Sequence, residues 1–148
     1  MTQATHTVHL RQVQDFQFDV DFGAPVPKLR VDEPAPLGQG AGPSPEQLLA
    51  AAVGNCLSAS LLFALRKFKQ NPEPLSCTVQ SALGRNAEGR MRMLGLQARL
   101  TLGVAASSLE HLDRVLGSFE SYCTVTQSVS PAIPVTLEVY DAEGQRLK

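Results

Sequence analysis

Three observations predict a single α+β domain over residues 1–148. Strand-like segments come in runs instead of alternating with helices. One long stretch, Gln47 to Leu65, carries no charge and suits a helix buried on most sides. The composition, 43% hydrophobic and 18% charged, is that of a globular chain able to build a core without disulfide staples. A helix apolar on most sides needs cover on most sides. One small sheet cannot supply it, so a second subunit is expected.

The elements follow in order. Thr7 to Val13 alternates imperfectly, with Val8, Leu10 and Val13 apolar, and is a first strand. Phe16, Phe18, Val20 and Phe22 then share one face, with Gln17, Asp19 and Asp21 on the other. Pro25 and Pro27 mark a turn before a weaker third strand, Lys28 to Asp32. The loop EPAPLGQGAGP, Glu33 to Pro43, is too short to link domains. Ser44 as N-cap, Pro45 at the first helical position and Gln47 closing a capping box start a helix that runs to about Lys69. Leu49, Val53, Cys56, Ser60 and Phe63 lie along one of its sides, and Leu48, Ala52, Leu57, Leu61, Leu65 and Phe68 broaden its apolar surface.

Two longer strands come next, Leu75 to Leu83 and Met91 to Leu102, joined by the turn residues GRNAEGR. Alternation puts Leu75, Cys77, Val79 and Leu83 on one face. Ser107 with Glu110 is a second capping-box signature, followed at helical spacing by Leu109, Leu112, Val115, Leu116 and Phe119. Tyr122 to Ser130 is ambiguous, because its β-branched residues favour strand and propensity is a weak prior. Ile133 to Tyr140 is a final strand.

Composition also limits function. A net charge of −1 with no basic block argues against nucleic acid as partner. The uncharged helix nearly has membrane length, but Gly54, Asn55, Ser58 and Ser60 interrupt it and no Trp or Tyr anchors its ends, so a soluble core helix with no membrane partner is expected. Met1 to Leu10 is polar and unlike a secretory signal, which gives a cytoplasmic expectation. No Cys/His pair has zinc spacing and no glycine motif cradles phosphate, so neither metal nor cofactor is expected. His111, beside Glu110 on the polar side of its helix, is expected in solvent.

The three cysteines, Cys56, Cys77 and Cys123, are too few and too odd in number for a disulfide framework. Cys77 falls on an apolar strand face and is expected in the core. Cys56 lies deep in the long helix, where a core role is the plain expectation, but Asn55, Ser58 and Ser60 form a polar cluster that a core cysteine does not need. Cys123 precedes a polar run. If that run is a helix, Cys123 lies in its first turn, where the dipole lowers a thiol pKa.

The segment PSPEQLLAAAVGNCLSASL, Pro43 to Leu61, resembles the signature of the osmotically inducible protein C (OsmC) and organic hydroperoxide resistance (Ohr) proteins. YCTVTQSVSPAIPV, Tyr122 to Val135, is similar to the second cysteine motif of that family. The resemblance implies an OsmC-like intertwined homodimer, with long central helices covered by antiparallel sheets, and a helix over Tyr122 to Ser130. It also implies a two-cysteine peroxidase for organic hydroperoxides. Cys56 would attack the peroxide and become a sulfenic acid, Cys123 would resolve it as a disulfide, and an external dithiol would restore both. The glutamate of the family falls on Glu46, ten residues before Cys56 and so about 15 Å away along one helix. If both serve one site, Glu46 comes from the partner chain. Taken alone, Glu46 is a favourable charge at a helix N-terminus.

Two positions depart from the pattern. The arginine that supports the thiolate in peroxidase members has no counterpart in a matching motif, only Arg11 and Arg30 being available, and Thr124 stands where many relatives have proline. Burial would raise the Cys56 pKa unless a cation offset it. The residues alone therefore name Cys123 as the more acidic thiol, whereas the resemblance names Cys56 as the attacking one. Two rival functions share the fold: a non-catalytic dimer binding an apolar ligand, and a dithiol oxidoreductase or redox sensor acting on a protein partner.

Overall fold

The computed structural model describes residues 2–148. The fold is α+β, with one long helix and two three-stranded sheets. The chain divides into two compact units, Met1–Leu48 and Leu49–Lys148.

The first unit holds strands β1 (His9–Gln14), β2 (Gln17–Asp21) and β3 (Leu29–Val31), paired antiparallel in that order. Val20 and Val31 are its buried apolar residues. Arg30 pairs with Asp19 across β2 and β3 at 2.6 Å. One carboxylate orders the Pro/Gly-rich loop that follows. Asp32 accepts the backbone N–H groups of Glu33, Gln39 and Ala41 at 2.8–3.1 Å. The loop also passes close to β3, and a side chain at Gly42 would collide with the Arg30 carbonyl. Helix α1 (Pro45–Lys67) begins with the expected capping box: Ser44 N–H donates to Gln47 Oε1 at 2.9 Å, and Gln47 N–H to Ser44 Oγ at 3.3 Å.

In the second unit, β4 (Ser76–Arg85), β5 (Met91–Thr101) and β6 (Val135–Tyr140) form a sheet in that order. The β4–β5 hairpin is antiparallel as expected, but β6 runs parallel to β5, so this sheet is mixed. The reason is topological: the chain crosses over through residues 102–134 before returning, and such a crossover is what a parallel pair requires. Leu96, Ala98, Leu100 and Leu102 alternate onto one face and are buried in a single core with Val53, Leu57, Leu61 and Leu65 of α1. Full burial of each such leucine or valine contributes about 1.5–3 kcal/mol. Helix and strand approach closely at Gly54, where an added Cβ would lie 2.8 Å from Val79 Cγ2 and 3.4 Å from Cys77 Sγ. Cys77 is packed against the core, as expected.

Leu83 is not in that core; it is 51% exposed. The β4–β5 register shifts between Ala82 and Leu83, where Leu94 is an extra residue on β5. The helix expected from Ser107 is also absent in that form. A 3-10 turn (Ala106–Ser108), a short helix α2 (Leu112–Leu116) and a second 3-10 turn (Phe119–Tyr122) replace it. Ser108 Oγ bonds the Ala105 carbonyl, the Glu110 N–H donates to Gln70 Oε1, and His111 caps α2 in the left-handed conformation. Each diverts a group that a continuous helix would use. The ambiguous segment is helical, forming α3 (Thr124–Val129).

One side of α1 carries exposed residues. Ala51, Ala52, Asn55, Ala59 and Phe63 are exposed. An 18-residue window of the helix has a mean hydropathy of 2.0, yet only 28% of it is buried.

Candidate functional site

Cys56 sits one residue before Leu57, so the helical turn rotates it to the edge of the buried stripe and leaves it half-buried. Cys123 is fully buried, at the N-cap of α3. Its N–H donates to the Glu120 carbonyl at 3.0 Å and its carbonyl accepts the Gln127 N–H at 2.9 Å. The chain end steadies this segment. Lys148 Nζ bonds the Leu116 carbonyl at 2.7 Å and the Glu120 carboxylate at 2.5 Å.

These placements bring the two thiols together. Burial alone would push the Cys56 thiol up. Hydrogen bonds from the Cys123 thiol, the Val125 and Thr126 backbone N–H groups and Ser60 outweigh it and hold Cys56 below the ordinary thiol value. The two amides belong to the first turn of α3, where helical N–H groups have no partner within the helix. Cys123 shifts the other way. Burial pushes its thiol up, Cys56 adds to that, and Thr126 opposes both without prevailing. Cys56 is therefore the more acidic of the two thiols. In the resting dithiol Cys123 Sγ donates to Thr126 Oγ1 at 2.9 Å.

This order corrects the reading from residues alone, which made Cys123 the more acidic thiol. The amides of α3 do favour an anion, but they serve the neighbouring Cys56 as well. Cys123 itself is enclosed at 0% exposure.

Of the polar cluster around Cys56, only Ser60 serves its sulfur. Ser58 Oγ donates to the Gly54 carbonyl at 2.7 Å, and Asn55 is exposed. Ser58 also bonds Cys77, whose thiol is nevertheless pushed up by burial. Glu46 stands in the first turn of α1 and is not among the groups around the Cys56 sulfur. Arg30 is occupied by Asp19 and Gln17, and Arg11 lies on β1. His111 is exposed as expected, but its ring stacks on Phe68 at 4.7 Å. Among the described residues no group of three or more His, Cys, Asp or Glu could hold a metal.

Cys56 opens into a cleft of about 490 Å³ walled by Phe63, Phe68, Phe119 and Tyr122, with Ser60 beside the sulfur. Lys67 and Arg114 also line it. Sequence reasoning missed both. Lys67 was legible, since Cys56, Ser60, Phe63 and Lys67 follow each other at helical spacing along one side of α1. Arg114 was not, because the break at His111 sets which way α2 faces.

A family model described as OsmC-like protein matches residues 38–138. Among solved structures, an OsmC-like protein of unknown function from Vibrio cholerae superposes with a TM-score of 0.78 at 18% identity, covering 93% of this chain and 99% of that one. An organic hydroperoxide resistance protein OsmC, a predicted redox protein, from Legionella pneumophila gives 0.70 at 20% identity over 93% and 98%. The organic hydroperoxide resistance protein OhrB of Bacillus subtilis gives 0.68 at 18% identity over 92% and 98%. Likeness at these identities establishes the fold. No curated protein matches in sequence.

Proposed function

The chain belongs to the OsmC-like protein family, and on that premise we propose that it is a thiol peroxidase that reduces organic hydroperoxides through Cys56 and Cys123. The observation that carries this reading is Cys56 lining an apolar cleft beside the fully buried Cys123, with the Cys56 thiol shifted down and the Cys123 thiol shifted up. The organic hydroperoxide resistance proteins of the same fold support the substrate class.

The chemistry balances with these two residues and one external reductant. The Cys56 thiolate attacks the terminal oxygen of ROOH. A sulfur–oxygen bond forms, the O–O bond breaks, and RO⁻ leaves to take a proton as ROH. Cys56 is now a sulfenic acid. Cys123 then attacks that sulfur; a disulfide forms and hydroxide leaves, taking the Cys123 proton to become water. An external dithiol reduces the disulfide and becomes oxidised itself. In the first step Thr126 can reverse its hydroxyl, leaving the Cys123 proton free to face the thiolate. The apolar walls favour alkyl hydroperoxides over hydrogen peroxide.

The reading includes a cytoplasmic homodimer in which a second copy covers the open face of α1 and lends its Glu46 to the site. No metal or cofactor enters the reaction. Steady-state turnover of cumene hydroperoxide with excess dithiol tests the proposal. Cys56→Ser should lower kcat/KM by about a thousandfold or more, and Cys77→Ser by less than about twofold. Full turnover in the Cys56→Ser protein would leave the binding-scaffold reading in its place. Rapid disulfide formation without multiple turnovers would favour a redox sensor.

A further inference from the structure

The donors at the Cys56 sulfur are the Cys123 thiol, the Val125 and Thr126 backbone N–H groups and the Ser60 hydroxyl, all of them neutral. Among the described residues only Ser60 also lines the cleft; Cys123, Val125 and Thr126 do not. Ser60 follows Cys56 by four residues, one turn along the same side of α1, and is half-buried. Its hydroxyl is unlike those of the other helical serines. Ser58 Oγ donates to the Gly54 carbonyl and Ser128 Oγ to the Thr124 carbonyl, each four residues back and each at 2.7 Å. Ser60 makes no such bond to the Cys56 carbonyl, so its own helix does not hold the hydroxyl. Lys67 and Arg114 line the cleft too, but neither is among the groups at the sulfur. Lys67 is eleven residues beyond Cys56, about 16 Å along the helix axis.

Attack on a peroxide moves charge. The sulfur carries it before the reaction, and the departing oxygen carries it once the O–O bond breaks. Donors fixed on the sulfur, as the two amides are, stabilise the starting thiolate and lose their partner's charge as the reaction proceeds. A donor that follows the charge lowers the barrier. A serine hydroxyl follows by turning about one bond. We propose that Ser60 is a catalytic residue whose hydroxyl passes from the Cys56 sulfur to the departing peroxide oxygen. The proposal rests on the peroxidase reading and deepens it. The thiolate bonds to the terminal oxygen of ROOH, the O–O electron pair leaves on RO⁻, and Ser60 donates a hydrogen bond to that oxygen. RO⁻ takes its proton from solvent water and departs as ROH, releasing hydroxide. Ser60 keeps its own proton, and Cys56 is left as a sulfenic acid.

Rapid-quench oxidation of the fully reduced protein by two peroxides tests this role, with loss of the free Cys56 thiol read by mass spectrometry. tert-Butyl hydroperoxide expels a strongly basic alkoxide that needs a donor. Peracetic acid expels acetate, which does not. The pH is set where alkylation of Cys56 has levelled off in every variant, so that the thiolate fraction is equal. Ser60→Ala should lower the rate constant for tert-butyl hydroperoxide by about tenfold to a hundredfold, and that for peracetic acid by less than about threefold. Ser60→Thr, which keeps the hydroxyl, should hold the ratio of the two rate constants near the wild-type value. An equal loss with both oxidants would make Ser60 a support for the thiolate alone, and no loss with either would give it no role. Either result overturns the proposal and leaves the peroxidase reading standing. A wild type that reacts with tert-butyl hydroperoxide no faster than a free cysteine thiolate would defeat the peroxidase reading, and this role with it.

Discussion

Cys56 lies in the middle of α1, where burial opposes ionisation, yet its sulfur meets two first-turn amides of α3, the Ser60 hydroxyl and the Cys123 thiol. This arrangement fixes the sign of a pH dependence. A depressed pKa means that the Cys56 thiolate is already populated below the ordinary thiol value, and alkylation of Cys56 should level off there. Cys123, shifted up by burial and by Cys56, should react only at higher pH. Competitive iodoacetamide labelling with peptide mapping across pH checks this, and the reverse order would contradict the site as described. The two cysteines were legible in the sequence from their motifs. Their order of acidity was not, because a tertiary contact decides which sulfur meets the N–H groups at a helix start.

The elements around the site hold it by a few identifiable contacts. Thr124 occupies the first position of α3, and the amides that bond Cys56 belong to the next two residues. Cys123 is extended, at φ −79° and ψ 98°, as a residue before proline should be. Thr124→Pro is therefore expected to keep activity and to raise stability by about 0.5 kcal/mol, measured by urea unfolding. Gly54→Ala should destabilise by about 1–3 kcal/mol in the same assay, because its Cβ meets the branched Val79 side chain between helix and sheet. Asp141 joins β6 to the 3-10 turn at Ala106, accepting the N–H groups of Ala106, Glu143 and Gln145 at 2.8–3.0 Å. The Ala106 bond is foremost among those that hold its carboxyl below the ordinary value of 3.8 against the effect of burial. That stability is present above pH 3.8 and is lost as pH falls through the lower folded value, so Asp141→Ala should flatten the acid limb of a melting-temperature profile. The capping box of α1 and the hairpin turn were readable from local residues. The broken α2 region was not, since Gln70, from a distant part of the chain, takes the Glu110 amide.

At the scale of the whole molecule, α1 has one face built into a core and another left apolar and open. The sequence already announced this, since a helix without charge from Gln47 to Leu65 needs cover on more than one side. A second copy as that cover, with Glu46 supplied across the interface, gives a complementation test. Dimers of Cys56→Ser with Glu46→Gln subunits should contain one site with both defects and one with neither. Random exchange between equal amounts of the two nearly inactive proteins should then restore up to about a quarter of the wild-type activity per site. No restoration on verified subunit exchange would assign Glu46 to its own subunit or to no role. The central claim concerns the two thiols, and mass spectrometry tests it most directly. The fully reduced protein is treated with one equivalent of cumene hydroperoxide, quenched and mapped. The account predicts rapid loss of two protons as a Cys56–Cys123 disulfide, with Cys77 free. Cys56 remaining a free thiol, or pairing with Cys77, would contradict it.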